Sequence, residues 1–113
     1  MHELSLAEGI LRVLEQTRAR DPFDRITQLR LEVGALAGVE IESLRFALNC
    51  IAANPLLAGA SIEINQPPGD AWCLPCAQSV EITSRLDACP ICGGYQLQAT
   101  GGTELRVVDM QVE

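Results

Sequence analysis

Between Leu4 and Leu14 apolar residues recur at spacings of three and four: Leu4, Ala7, Leu11 and Leu14, with Leu6, Ile10 and Val13 beside them. That period predicts an amphipathic helix. Ser5 and Glu8 form the S-x-x-E pattern of a capping box, so the helix is expected to start at Ser5. Asp21-Pro22 ends it, because the residue before a proline is pushed out of the α region. From Ile26 the period drops to two. Thr27, Leu29, Leu31 and Val33 face one way and Gln28, Arg30 and Glu32 the other, which predicts a half-buried strand closing at Gly34. A second helix is expected from about Glu40 to Ala53. Ile41, Leu44, Ala47, Leu48 and Ile51 share one of its faces, and Asn54-Pro55 is its stop. After Gly59, residues 60–65 alternate as a short strand, and Pro67-Pro68-Gly69 reads as a stiff and then permissive linker. A last strand-like run covers Glu104 to Met110 with imperfect alternation. The fold class is therefore α+β, two helices on one face of a small three-stranded sheet. Residues 70–103 form an insertion that leaves residues 1–69 and rejoins them at 104–113.

The insertion carries the densest chemistry. Residues 71–102 hold four of the five cysteines and four of the nine glycines. Cys73-Leu74-Pro75-Cys76 and Cys89-Pro90-Ile91-Cys92 are two C-x2-C knuckles separated by twelve residues, enough for a two-strand ribbon. Each knuckle presents two sulfurs to one ion, and two knuckles close a tetrahedral thiolate site of the kind Zn2+ favours. Gly93 suits the left-handed position just after a knuckle. A disulfide pair and an iron–thiolate centre are the competing readings, and colour separates the metals, since ferric tetrathiolate is red and zinc tetrathiolate colourless. The module's sizeable apolar groups are Trp72, Leu74, Val80, Ile82, Leu86, Ile91, Tyr95 and Leu97, too few for an independent core. Zinc binding worth about 10–16 kcal/mol in comparable peptides would supply the missing stability. The fifth cysteine, Cys50, is expected to be buried as a small hydrophobe.

Composition narrows the function classes. Eight cations, all Arg, face 15 Asp or Glu, for a net charge of −7. That balance opposes nucleic acid and anionic lipid, and residues 71–102 carry one cation, Arg85, against Glu81 and Asp87. No apolar run approaches the roughly 20 residues that span a bilayer, and the first residues do not resemble a signal peptide, so a cytoplasmic location is expected. With one His, no Lys and closed cysteines, no nucleophile–base–orienter set can be assembled, and no enzymatic activity is expected.

The solitary His is the second residue. The Met1 α-amine, the His2 backbone nitrogen and His2 Nδ1 close adjacent chelate rings on one ion, and the Glu3 amide nitrogen or carboxylate completes a planar set of four. Square-planar nitrogen coordination suits Ni2+ or Cu2+ rather than Zn2+.

Met-His-Glu-Leu-Ser at the start, the two C-x2-C knuckles, and Gly-Gly-Thr-Glu-Leu-Arg-Val near the end together resemble the HypA/HybF family. The resemblance spans essentially the whole chain. It implies a nickel metallochaperone of NiFe-hydrogenase maturation, with nickel held by His2 and by nitrogens of Glu3 and Met1. It implies a structural zinc on Cys73, Cys76, Cys89 and Cys92. Residues 1–69 plus 104–113 would be the nickel-binding domain and 70–103 the zinc-binding domain. The implied partners are a HypB-type GTPase and the hydrogenase large-subunit precursor, with urease served by some members and the chain a monomer or dimer. Some members bring a further His to nickel from the zinc-domain side; this chain has only His2. The alternative reading is a zinc-ribbon module that binds protein or nucleic acid.

Overall fold

A computed structural model describes residues 2–51 and 55–113. Two helices and six strands follow one another in the order α1 (His2–Arg20), β1 (Ile26–Val33), α2 (Ile41–Ile51), β2 (Ser61–Asn65), β3 (Gly69–Cys73), β4 (Gln78–Ile82), β5 (Leu97–Gly101) and β6 (Leu105–Val112). They make two three-stranded sheets, ordered β2-β1-β6 and β4-β3-β5. Two compact units result. The first holds Met1–Leu31, Val39–Ile64 and Val107–Glu113; the second holds Glu32–Gly38 and Asn65–Arg106.

In the first unit α1 buries Ala7, Ile10 and Leu14 of the predicted stripe, while its Leu4 and Val13 are exposed. The helix starts earlier than expected, at His2 rather than Ser5. Glu3 supplies the reason: its carboxylate takes up its own N–H within the first turn, and an acid there also suits the helix dipole. The Ser5–Glu8 box therefore falls inside the helix. At the other end the Asp21 N–H reaches the Thr17 carbonyl at 2.9 Å, and Pro22 stops the helix as predicted. Helix α2 buries Leu44, Ala47 and Leu48. It is capped by Glu40, whose carboxylate accepts the Ser43 N–H at 2.7 Å and the Ser43 hydroxyl at 2.8 Å. The expected helix end at Ala53 and stop at Asn54 lie outside the described residues.

Strand β1 buries Leu29, Leu31 and Val33 as the alternation requires, with Ile26 buried as well. Three ion pairs mark its register with β6. Arg25 bonds Glu113 at 3.0 Å, Arg30 grips both carboxylate oxygens of Asp109, and Glu32 accepts from Arg106 at 3.2 Å. As one residue number rises the other falls, so the two strands run antiparallel. Exposed ion pairs of this kind contribute little to stability, and their effect here is on pairing.

The second unit contains more sheet than the ribbon expected of the cysteine module. Strand β3 is central, paired antiparallel with β4 (Ala71 opposite Val80) and with β5 (Ala71 opposite Ala99). Gly69, Ala71 and Cys73 point inward while Asp70 and Trp72 point out. The core is small: Leu36, Ala71, Cys73, Val80, Ile82 and Cys89. Pro67-Pro68-Gly69 is not a free linker. Gly69 is buried as the first residue of β3, and a Cβ there would overlap the Leu36 side chain. Three segments converge at this point through backbone hydrogen bonds: Gly34 N–H to Glu104 O at 2.9 Å, Ala35 N–H to Pro67 O at 2.9 Å, and Leu36 N–H to Gly102 O at 2.8 Å.

Gly102 sits at this crossing with φ 76°, and a Cβ would run into the Gly69 backbone. Gly38 has nearly the same φ, 72°, with nothing within 4 Å of an added Cβ. The two glycines separate backbone strain from crowding. Gly38→Ala is expected to cost about 1 kcal/mol from left-handed strain alone, and Gly102→Ala about 3 kcal/mol because the clash adds to it. Urea unfolding followed by Trp72 fluorescence measures both, and equal losses would show that the crossing is not tightly packed.

Candidate metal centre

The four-cysteine cluster is built by two knuckles of the same local design. After Cys73-Leu74-Pro75-Cys76, Ala77 adopts φ 52° and returns its N–H to the Cys73 carbonyl at 2.9 Å. After Cys89-Pro90-Ile91-Cys92, Gly93 adopts φ 74° and returns its N–H to the Cys89 carbonyl at 2.9 Å. The left-handed residue expected at Gly93 is thus present, and Ala77 makes the matching turn although it carries a Cβ. Further backbone bonds hold the two turns in place: Leu74 N–H to Gln96 O at 3.1 Å and Cys89 N–H to Gly94 O at 2.8 Å.

The geometry brings all four predicted cysteines together. Cys73 and Cys92 sulfurs lie 3.7 Å apart, Cys76 and Cys89 sulfurs 4.0 Å apart, and all four Sγ atoms lie within 4.8 Å of one another. A tetrahedral ion with metal–sulfur bonds of about 2.3 Å requires sulfur–sulfur edges of about 3.8 Å. The donor set therefore fits such an ion, with Cys73 and Cys89 buried and Cys92 at the surface.

The electrostatics are uneven. The Cys92 N–H does most to pull the Cys89 thiol down to about 7, against the effect of burial, and the Ile91 N–H at 3.4 Å from its sulfur assists. Burial pushes the Cys76 thiol up to about 12, and the three neighbouring sulfurs add to it. At Cys73 the Cys76 N–H favours the thiolate, but burial and the crowding of Cys89 and Cys92 outweigh it and raise the thiol. Like charges packed at these distances cannot all ionise unless a cation joins them.

Two residues outside the cysteine motif support the cage, and sequence reasoning missed them both in this role. Leu36 packs into the same core as Cys73 and Cys89. Arg85 donates to the Leu36 carbonyl from Nε at 3.3 Å and from its terminal nitrogen at 3.1 Å. The turn that aims Arg85 is tied by Asp87, whose carboxylate accepts the Thr83 and Ser84 N–H groups at 3.0 and 3.2 Å.

The second predicted site lies in the other unit. Met1 lies outside the described residues. His2 is the first residue of α1, with its side chain 61% exposed and Nδ1 3.4 Å from Glu3 Oε2. Glu3 is largely covered, and its carboxylate also accepts the Glu40 N–H at 3.5 Å. Burial works to raise the Glu3 carboxyl, but its own N–H, His2 and the Glu40 N–H together hold it below the ordinary value. Glu40 is the unforeseen neighbour here: Glu is not a favoured N-cap residue, so nothing in the sequence marked it. Cys50 belongs to neither predicted donor set and is exposed, contrary to its expected burial. At 100° per residue it lies roughly 110° from the middle of the Leu44–Ala47–Leu48 stripe that α2 buries.

Comparison with known proteins supplies the context. A family model described as "Hydrogenase/urease nickel incorporation, metallochaperone, hypA" matches residues 1–112. The "Hydrogenase maturation factor HypA" of Cupriavidus necator is 58% identical over 113 residues, covering 100% of this chain and 95% of that protein. Its namesake in Polaromonas naphthalenivorans is 56% identical over 112 residues, covering 99% and 97%. Among solved structures, the solution structure of the Ni metallochaperone HypA from Helicobacter pylori has a TM-score of 0.68 at 14% identity, covering 97% of this chain and 96% of that one, a likeness of fold. With a family model across the chain and relatives above half identity over nearly their full length, this protein belongs to the HypA family of nickel-incorporation metallochaperones, which are hydrogenase maturation factors and not enzymes.

Proposed function

We propose that this chain carries Ni2+ on its N-terminal tripeptide and delivers it to the NiFe-hydrogenase large-subunit precursor, while Cys73, Cys76, Cys89 and Cys92 hold a structural zinc. The observation that carries the reading is the contrast between the two donor sets. Four sulfurs within 4.8 Å of one another would leave a bound ion no open position, whereas His2 is exposed at a helix tip. A carrier needs a site that captures an ion and then opens to a competing ligand set. The tip meets that need and the cage does not. Residues 1–69 with 104–113 act as the nickel-binding domain and residues 70–103 as the zinc-binding domain. A HypB-type GTPase is the partner in loading, in the cytoplasm.

The helical start adds chemistry that the tripeptide alone did not suggest. The first N–H groups of a helix have no intrahelical acceptor, so the nitrogens of His2 and Glu3 are not committed to the helix ladder. The helix dipole nevertheless opposes a cation at this end. Ionised amides remove the conflict, because each proton lost cancels one charge of the ion. Chelation by the His2 and Glu3 nitrogens turns ψ of His2 from the helical value of about −42° towards about 0°, so loading uncoils the first residue and leaves the rest of α1 in place. Glu3 must also release Nδ1 from its 3.4 Å contact when the ring turns to the ion. The zinc supplies cross-linking rather than reactivity: it ties two knuckles whose own apolar core is small.

His2→Ala is expected to abolish specific Ni2+ binding with unfolding temperature and zinc content unchanged, because the side chain is exposed. An uncleaved extension before Met1, which converts the amine to an amide, should weaken binding nearly as much. Calorimetric Ni2+ titration of the untagged chain, the variant and the extended chain measures this. One Ni2+ bound by the His2 variant with wild-type affinity would place the site elsewhere.

Zinc loading of the metal-free chain is expected to release at least two protons at pH 8. The thiols of Cys73 and Cys76 are both held above the ordinary value and are neutral there, yet a metal-bound cysteine is a thiolate. Zinc affinity therefore falls as pH drops, and the zinc-dependent stability falls with it. Titration in buffers of different ionisation enthalpy counts the protons, and fewer than two would mean that the metal-free cage is already ionised.

A further inference from the structure

A groove of about 460 Å³ runs along α2 beside the first turn of α1, with Leu4, Phe46 and Cys50 on its walls and Glu3 and Glu42 on its rim. Phe46 stands on the side of α2 away from the buried Leu44–Ala47–Leu48 stripe and is 69% exposed, and Leu4 is 37% exposed. Phe46 and Leu4 together leave apolar surface open to water on this face, where folding gives them no cover. Among the described residues no cation lines this groove, and its two charged residues are carboxylates.

We infer that the groove is the docking surface for a protein partner that presents an apolar side chain flanked by Lys or Arg. Charge selects that occupant over the others. A second copy meeting this face symmetrically would set Glu3 and Glu42 against themselves. An anionic lipid surface would meet the same two carboxylates on a chain of net charge −7. A cationic flank instead pairs with the rim while the apolar anchor covers Phe46, the arrangement of a central anchor inside a polar ring. The surface is continuous with the nickel tip, because Glu3 both walls the groove and touches His2. The inference rests on the nickel reading above in one respect: a partner seated here is placed to exchange ligands with His2.

The test uses the full-length, zinc-loaded chain with Phe46→Ser and Glu42→Gln as separate variants. The probes are the HypB-type GTPase and the hydrogenase large-subunit precursor, each titrated at two salt concentrations. Phe46→Ser is expected to weaken at least one of the two complexes about tenfold or more, the loss that truncating an aromatic anchor brings. Glu42→Gln should lower the on-rate of the same complex and flatten its salt dependence. Circular dichroism and Ni2+ affinity should not change in either variant, since neither residue is a nickel donor. If both variants behave as wild type towards both probes, including no binding by any of them, the inference is overturned. A wild-type dimer that Phe46→Ser splits would assign the face to a second copy, and Phe46-dependent binding to phosphatidylglycerol vesicles would assign it to lipid; either result overturns the proposal. Failure of the nickel reading shows separately, as Ni2+ binding that survives His2→Ala.

Discussion

The second unit is constrained by a shortage of apolar side chains. Of the large apolar groups between residues 70 and 103, Trp72, Leu74, Leu86, Ile91 and Tyr95 are exposed, Leu86 by 86%. What is buried is Val80, Ile82, Ala71 and two cysteines, with Leu36 supplied from outside the segment. A core of that size does not outweigh the chain entropy of some forty ordered residues. The sulfurs resolve the deficit because they act twice, as small core groups and as a set of donors. Their spacing has meaning only if an ion joins them: without one, four thiols crowd together, and at least Cys73 and Cys76 are disfavoured as thiolates. Backbone close packing is the other contribution. At the Gly34–Gly69–Gly102 crossing, hydrogen bonds between main chains take the place of side-chain burial.

The tip of α1 is governed by the opposite logic. There the His2 side chain is exposed, and the first N–H groups lie outside the helix ladder. Glu3 is the residue that holds this end in order. It satisfies its own N–H, touches His2 and takes the N–H of Glu40, the residue that caps α2. Its carboxylate therefore does structural duty in the fold. On the reading proposed above, donation by the Glu3 backbone nitrogen would cost only the bond to its own carboxylate, whereas donation by the carboxylate would break the link to α2.

The parts of this protein visible in the sequence are those written in local pattern. The buried centres of both helices, the alternation of β1 from Leu29 to Val33 and the four cysteines follow from spacing within a few residues, although Leu4 and Val13 of the α1 stripe are exposed and Ile26 takes the inner place expected of Thr27. What escaped depends on contacts between distant segments. The start of α1 moved from Ser5 to His2 because Glu3 satisfies the first turn, which a capping-box pattern cannot reveal. Pro67-Pro68-Gly69 has the composition of a linker, yet Gly69 is the close-packed first residue of a central strand, since the Leu36 side chain leaves room only for hydrogen there. Cys50 was assigned to the interior on residue type, while its angular position on α2 places it outside. Leu36 and Arg85 carry no motif, and only the fold shows that one fills the cysteine core and the other holds its backbone.

The distribution of positive charge ties these features together. Arg25, Arg30 and Arg106 pair with carboxylates between β1 and β6, and Arg18, Arg45 and Arg85 donate to the carbonyls of Phe23, Ile62 and Leu36. Six of the eight cations are thus engaged inside the chain, and each serves register or loop position rather than an outer partner. Among the described residues, most of the acidic side chains have no such internal cation. The external field is negative, which raises the local concentration of divalent cations and steers basic protein surfaces inward while repelling phosphate backbones. A zinc-ribbon module reading nucleic acid would require the reverse arrangement, with arginines released to the surface. For a carrier of Ni2+ whose tip sits beside an acid-rimmed apolar groove, spending the arginines internally is consistent with the function, since it leaves the cargo and the partner as the cations that the surface is prepared to receive.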